Sequence, residues 1–158
     1  MRSSIGLDVH KFKNGIPLIV GGINIDFDKG LEGHSDGDVL THAIIDSLLG
    51  GSGMGDIGMH YPSSNKDLKN IDSLILLQET MHLIEQEGWV PTYLDATIIA
   101  QSPVLSPYVQ KMKNKLSDYL NISSKTINIK ATTTDGLGFI GDSQGMASIV
   151  VATMENRI

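Results

Sequence analysis

Strand-like and helix-like segments alternate along this chain from one end to the other, and that alternation restricts it to folds in which helices cover a sheet. Ser3 to His10 reads as a strand, followed by a turn at Asn14-Gly15 and a short hairpin through Leu18-Ile19-Val20 and Ile23-Asn24-Ile25. The apolar spacing predicts a helix over Asp36 to Leu49, stopped by Gly50-Gly51, and a second over Asp72 to Glu87, stopped by Gly88. Tyr93 to Ala100 reads as a strand. Ser106-Pro107 then opens a third helix that runs to Leu120, with proline in its first turn. Thr126 to Thr132 and Gly145 to Met154 supply the last strands. Hairpin strands mixed with helices favour an α+β fold, a mixed sheet covered on one face by helices. The other face then lacks a cover within one chain, and a homo-oligomer would supply it. The chain has 158 residues with no repeat and no linker, so 1–158 is expected to form one domain.

Charge and composition narrow the function. Twelve Lys+Arg stand against 18 Asp+Glu, a formal charge of −6, which leaves no electrostatic footprint for a nucleic-acid backbone. No apolar run approaches the ~20 residues of a membrane-spanning helix, and no signal-peptide pattern opens the chain. The expected setting is therefore the bacterial cytoplasm, with no membrane partner. There is no cysteine, which removes disulfides, thiolate metal sites and a cysteine nucleophile together. Any metal must be held by His, Asp and Glu.

Two segments carry that chemistry. In Asp8-Val9-His10, alternate strand residues share a face, so Asp8 and His10 project to the same side. In the helix after His34-Ser35-Asp36-Gly37-Asp38, the residues Val39, Leu40, Ala43, Ile44 and Leu48 form a buried stripe. Asp38, His42 and Asp46 lie four apart on another stripe, which places either carboxylate to orient the His42 ring. Asp8, His10 and His42 together would give three N/O donors and one open position, the pattern of a catalytic zinc site. An Asp-x-His pair also arises by chance, and a lone helix histidine is more often solvated or hydrogen-bonded. The glycine-rich run from Gly50 to Gly58 lacks the Gly-Lys-Ser/Thr ending of a P-loop and follows a helix instead of preceding one. It reads as a connection, with Asp56 as a turn former or a sugar-hydroxyl acceptor. Leu74, Leu77, Met81 and Ile84 read as core, and His82 as solvated.

Asp8-Val9-His10, His34-Ser35-Asp36-Gly37-Asp38, Gly55-Asp56-Ile57-Gly58, Ala100-Gln101-Ser102-Pro103 and Lys130-Ala131-Thr132-Thr133-Thr134 occur in this order across nearly the whole chain. The combination closely resembles the 2-C-methyl-D-erythritol 2,4-cyclodiphosphate synthases, the ring-closing enzymes of non-mevalonate isoprenoid biosynthesis. The resemblance implies a homotrimer with its sheets around a central axis and active sites between neighbouring subunits. It implies zinc on Asp8, His10 and His42, and Mg²⁺ or Mn²⁺ as a second cation at Asp135. His34 and Ser35 match positions at the methylerythritol phosphate end, and Asp56, Ile57 and Gly58 match the segment that binds the ribose and sugar. The stretch containing Ala100, Pro103 and Ser106 matches the frame around cytosine. Thr132, Thr133 and Thr134 match the block holding the nucleotide phosphates, and Phe139 matches a position near the trimer axis. His34 and Thr133 carry over as the catalytic positions. Four residues depart from the family pattern: Asp135 replaces Glu, Val104 replaces Lys, Ser106 replaces Leu, and Asp142 replaces an Arg facing the axis. Two other functions fit the same metal residues: a metal-dependent phosphohydrolase, and a non-catalytic trimeric metalloprotein.

Overall fold

In the computed structural model, which describes residues 1–158, a long first strand organises everything else. This strand, β1 (Arg2–Asn14), alternates inward and outward residues. It pairs antiparallel with β4 (Lys29–Glu32) on one side and β7 (Gly145–Asn156) on the other. On its far side β7 pairs antiparallel with β5 (Trp89–Ile99), and β5 pairs in parallel with β6 (Ile127–Thr132). The result is a mixed five-stranded sheet in the order β4-β1-β7-β5-β6. The predicted hairpin forms a separate ribbon of β2 (Leu18–Val20) and β3 (Ile23–Ile25). Strand β4 has no counterpart among the predicted elements. Its four residues are too few for a periodic pattern, and pairing with β1 is what makes them a strand.

Helix α1 (Val39–Ser52) lies on β1 and β7, α3 (Ser73–Gln86) packs on α1, and α4 (Val109–Leu120) packs on β6 and α3. Two four-residue helices, α2 (Ile57–His60) and α5 (Gly138–Gly141), fall outside the predicted helices and strands, α2 beginning in the run read as a connection. All three long helices cover one face of the sheet, as expected. The other face leaves Ile5 68%, Leu7 57% and Val9 44% exposed, with Tyr93 and Val151 beside them. Leu74, Leu77, Met81 and Ile84 are core as predicted, and His82 lies on the surface, bonded to Gln86.

Helix α1 departs from its predicted form. Twelve of its fourteen residues are buried, so it is a central helix and not one with a single apolar stripe. Gly50 and Gly51 do not stop it: both lie inside, and the helix ends on Gly53 with φ of 77°. Gly51 is held in the helix by tight packing, since a Cβ there would lie 2.6 Å from Met154 and 2.8 Å from the Ser4 hydroxyl. Contact with β1 is closer still. A Cβ on Gly6 would lie 1.9 Å from the Ala43 carbonyl oxygen, so only glycine lets α1 approach β1 so closely. That approach brings His42 to Asp8 and His10.

Candidate active site and metal centre

Asp8 and His10 both face α1, as period-two geometry requires, and His42 meets them from the second turn of the helix. Asp8 Oδ2 lies 2.7 Å from His10 Nε2 and 3.1 Å from His42 Nδ1, and the two imidazole nitrogens are 3.0 Å apart. These three atoms form the one group of three or more His, Asp or Glu donors in the chain close enough to share an ion. A tetrahedral cation with such ligands at ~2.0–2.2 Å needs donors ~3.3 Å apart, a few tenths of an ångström from the spacing here. The donors therefore fit a divalent cation, and His10 and His42 also line the adjoining cavity.

Burial pushes the Asp8 carboxyl up, but hydrogen bonds from His10 and His42 outweigh it and hold the group at about 2. His10 moves the opposite way. Burial lowers it, and the hydrogen bond and charge of Asp8 raise it above the ordinary histidine value. The outer nitrogens are tethered as well. His10 Nδ1 meets the Glu32 carbonyl at 2.8 Å, while His42 Nε2 meets the hydroxyls of Ser73 at 2.7 Å and Ser35 at 2.8 Å. Neither Asp38 nor Asp46 orients the His42 ring, against the helical-spacing expectation. Asp38 is the N-cap of α1 and points across the helix end, accepting from Gly21 N, Gly22 N, Thr41 N and Thr41 Oγ1 at 2.7–3.0 Å. Burial, reinforced by the charge of Asp36, pushes its carboxyl up against those bonds. Asp46 accepts from Ile57 N at 3.2 Å and fastens α2 to α1.

Beside the metal ligands lies a cavity of about 290 Å³ lined by His34, Ser35, Ile57 and Gly58, together with Tyr61, Ser63, Leu68 and Leu76. The first four were singled out from sequence; the second four were not. Tyr61 lies three residues past the glycine-rich run, but its position depends on its hydroxyl reaching Thr80 at 2.9 Å, which no local pattern signals. The His34 ring meets the Asn65 carbonyl at 2.7 Å, and Asn70 N donates to the His34 carbonyl at 2.8 Å, so the two walls of the cavity are joined. Asp56 caps α2 through Met59 N at 2.9 Å and remains exposed. It is thus the turn former expected, with its carboxylate open to solvent.

The residues matched to the nucleotide end gather elsewhere. Ala100, Pro103, Ser106, Thr132 and Thr133 line a second cleft of about 380 Å³, with Val104 and Leu105. Thr134 Oγ1 donates to the Leu137 carbonyl at 2.7 Å, and Asp135 sits at φ of 55° with its N–H on Thr133 Oγ1 at 3.2 Å. Phe139 does not join them. It lines a third cleft, of about 530 Å³, with Val9, His10 and Phe12. Strands β1 and β6 are three strand spacings apart in the sheet, ~14 Å. In register, Val9 aligns through Ala147 and Ile99 with Thr132, so Thr132 shares the open face with Val9 while Asp8 faces the helices. Asp8 and Thr132 therefore lie on opposite faces of one sheet.

Residues 1–155 match the family model described as the YgbB family. Over 155 residues the chain is 50% identical to the protein of Desulfatibacillum aliphaticivorans named 2-C-methyl-D-erythritol 2,4-cyclodiphosphate synthase, covering 98% of this chain and all of that one. Among solved structures, the bifunctional IspDF of Campylobacter jejuni superposes with a TM-score of 0.95 at 38% identity. That match covers 98% of this chain, which spans 42% of the longer protein. The CDP complex of Plasmodium falciparum IspF superposes with a TM-score of 0.86 at 30% identity, covering 99% of this chain and 97% of that one.

Proposed function

This chain belongs to the YgbB family, and we propose that it converts 4-diphosphocytidyl-2-C-methyl-D-erythritol 2-phosphate to 2-C-methyl-D-erythritol 2,4-cyclodiphosphate and CMP. The observation that carries this reading is the convergence of Asp8, His10 and His42 beside a cavity lined by His34, Ser35 and Gly58, in a chain 50% identical to a synthase of that name. It is then a CMP-releasing phosphorus–oxygen lyase of the non-mevalonate pathway, built as one domain over 1–158.

The chemistry needs little from acids and bases. An oxygen of the 2-phosphate bonds to the β-phosphorus, and the bond from that phosphorus to the bridging oxygen breaks. The bridging oxygen keeps the electron pair and leaves as part of CMP. A phosphate monoester has its second pKa near ~6, so the nucleophile is largely ionised at neutral pH without a general base. What the protein must supply is charge neutralisation and a folded substrate. Zn²⁺ on Asp8, His10 and His42, and Mg²⁺ or Mn²⁺ held at Asp135 with the substrate's own phosphates, would supply positive charge to the phosphoryl oxygens.

The chain's residues do the folding. His34 and Ser35 hold the 2-phosphate, and Asp56, Ile57 and Gly58 take the sugar hydroxyls. Thr132 and Thr133 donate to the nucleotide phosphates, Thr134 shapes their loop through its bond to the Leu137 carbonyl, and the backbone from Ala100 through Pro103 to Ser106 frames the base. His34 and Thr133 thereby grip the attacking and leaving ends, which is their catalytic role. Tyr61, Leu68 and Leu76 wall the cavity against water, which favours ring closure over hydrolysis.

The Asp8 and Thr132 groups, on strands ~14 Å apart and on opposite faces of the sheet, make two half-sites that cannot clamp one diphosphate within one chain. A neighbouring copy therefore brings its Thr132–Asp135 loop to this chain's Asp8. We read the assembly as a homotrimer, with Ile5, Leu7, Val9 and Val151 buried around a central axis and Phe139 near that axis. Phosphorus NMR with the diphosphocytidyl substrate and Mg²⁺ tests the reading. A cyclic diphosphate with CMP is expected, lost in Asp8→Ala. Linear product with inorganic phosphate would instead make the chain a hydrolase, and zinc binding without turnover would make it a structural metalloprotein.

A further inference from the structure

Ser73 is the first residue of α3, is fully buried, and belongs to none of the motifs that mark the site. Its surroundings fix where its one hydroxyl proton goes. The Asp36 carboxylate accepts from Asp38 N at 3.0 Å, from Ser73 N at 2.9 Å and from Ser73 Oγ. An ionised carboxylate only accepts, so the Ser73 proton points at Asp36. Toward His42 Nε2, at 2.7 Å, Ser73 Oγ then has only lone pairs to offer. Nε2 must carry the ring N–H, and the lone pair is left on Nδ1, the atom that faces Asp8 and His10.

His10 shows the same logic with different parts. A backbone carbonyl also only accepts, so the Glu32 carbonyl at 2.8 Å keeps N–H on His10 Nδ1 and leaves Nε2 for the shared site. There the orienting group is main chain; for His42 it is two side chains. Ser35 Oγ, 2.8 Å from the same Nε2, is likewise met by an N–H. Its own proton is not needed there: Ser73 Oγ, 3.3 Å away, can accept it at rest, and a substrate oxygen in the cavity that Ser35 lines can take it instead.

We infer that Asp36 and Ser73 are positioning residues, a two-step relay that sets the tautomer of His42 so that Nδ1 is a metal donor and the Ser35 hydroxyl proton, not spent on His42, can turn to substrate. The inference rests on the reading of Asp8, His10 and His42 as a metal site. Without the Ser73 oxygen, Ser35 alone faces Nε2 and can donate to it, which moves the ring proton to Nδ1 and blocks coordination. In Asp36→Asn an amide N–H faces a group the carboxylate had accepted from, and the direction of the relay is no longer enforced.

Zinc affinity of the purified trimer or monomer, measured by competition with a chromophoric chelator, tests this without turnover. Ser73→Ala and Asp36→Asn are each expected to weaken zinc about 10–100-fold. Because the two act in series, the double variant should be no weaker than the worse single one. In zinc-loaded parent protein, the His42 Nε2 proton should appear as a downfield resonance slow to exchange with water, and in zinc-loaded Ser73→Ala it should exchange rapidly. Ser73→Ala that melts with the parent and binds zinc within twofold of it would overturn the relay while leaving the metal site standing. Additive losses in the double variant would overturn it too. A parent protein that binds no zinc would overturn the metal reading itself.

Discussion

The two half-sites of this chain are built in opposite ways. At the metal end the donors and the cap of α1 are held by their own chain: Asp8 by two imidazoles, His42 by two hydroxyls, Asp38 by four donors. At the proposed nucleotide end Thr132, Thr133 and Asp135 are exposed, and the hydroxyl bonds of Thr132 and Thr133 stay within their own loop. Rigid preorganisation suits a group that must hold a cation at fixed distances, since a few tenths of an ångström decide affinity. Exposed hydroxyls suit a surface completed by substrate and by a second copy of the chain. The metal end is thus coupled to the stability of the core, and the nucleotide end is not.

Gly6→Val should break the comparison at its stronger end. The new side chain meets the Ala43 carbonyl, so α1 must lift from β1. A loss of about 3 kcal/mol in urea unfolding is expected, with zinc content falling alongside. Gly6→Val that unfolds with the parent would show that the helix approach is not what sets the site. Stripping the metal with a chelator comes next. Zinc present at 1,000 times its Kd stabilises the native state by about 4 kcal/mol, so the apo protein should melt markedly lower. Equal melting with and without zinc would separate the metal from the fold.

Thr133→Ala probes the other end. Its side chain is exposed and supports one loop bond, so stability should move by less than about 0.5 kcal/mol while turnover falls. A large stability loss would mean the two ends are not built differently after all. The smallest effect belongs to Asp95 on the open sheet face. The hydrogen bond from Lys130 lowers its carboxyl, against slight burial and with help from Asn128. A depressed carboxylate stabilises above its unfolded pKa of ~3.9, and the contribution is lost as pH falls through the folded value. The pair is largely exposed, so the gap between parent and Asp95→Asn should be a few tenths of a kcal/mol at pH 7, roughly the low end for surface pairs, and should narrow as pH falls below ~3.9. A gap that does not narrow on acidification would assign the effect to something other than this charge.

Much of the metal end is legible in one dimension. Asp8 and His10 share a face because a strand has period two, and α3 shows its core stripe because a helix repeats every 3.6 residues. The stop assigned to Gly50-Gly51 fails because a glycine's preference for helix ends is weak beside the packing of Gly51 against Met154 and Ser4. The orientation assigned to Asp38 and Asp46 fails for a related reason. Spacing says which residues are neighbours on a helix, but not which of them is spent on a cap.

The sequence by itself determined the pattern of strands and helices, the donor types available to a metal, and the family to which the chain belongs. Its motifs carry chemistry that survives being read without coordinates. Only the tertiary structure decided that His42 is held by Ser73, 31 residues away, and that Tyr61 and Leu76 complete the cavity. It alone placed Thr132 on the opposite face from Asp8. Periodicity and capping act over one or two turns of chain, whereas these partners meet only when the sheet has formed and helices have closed over it.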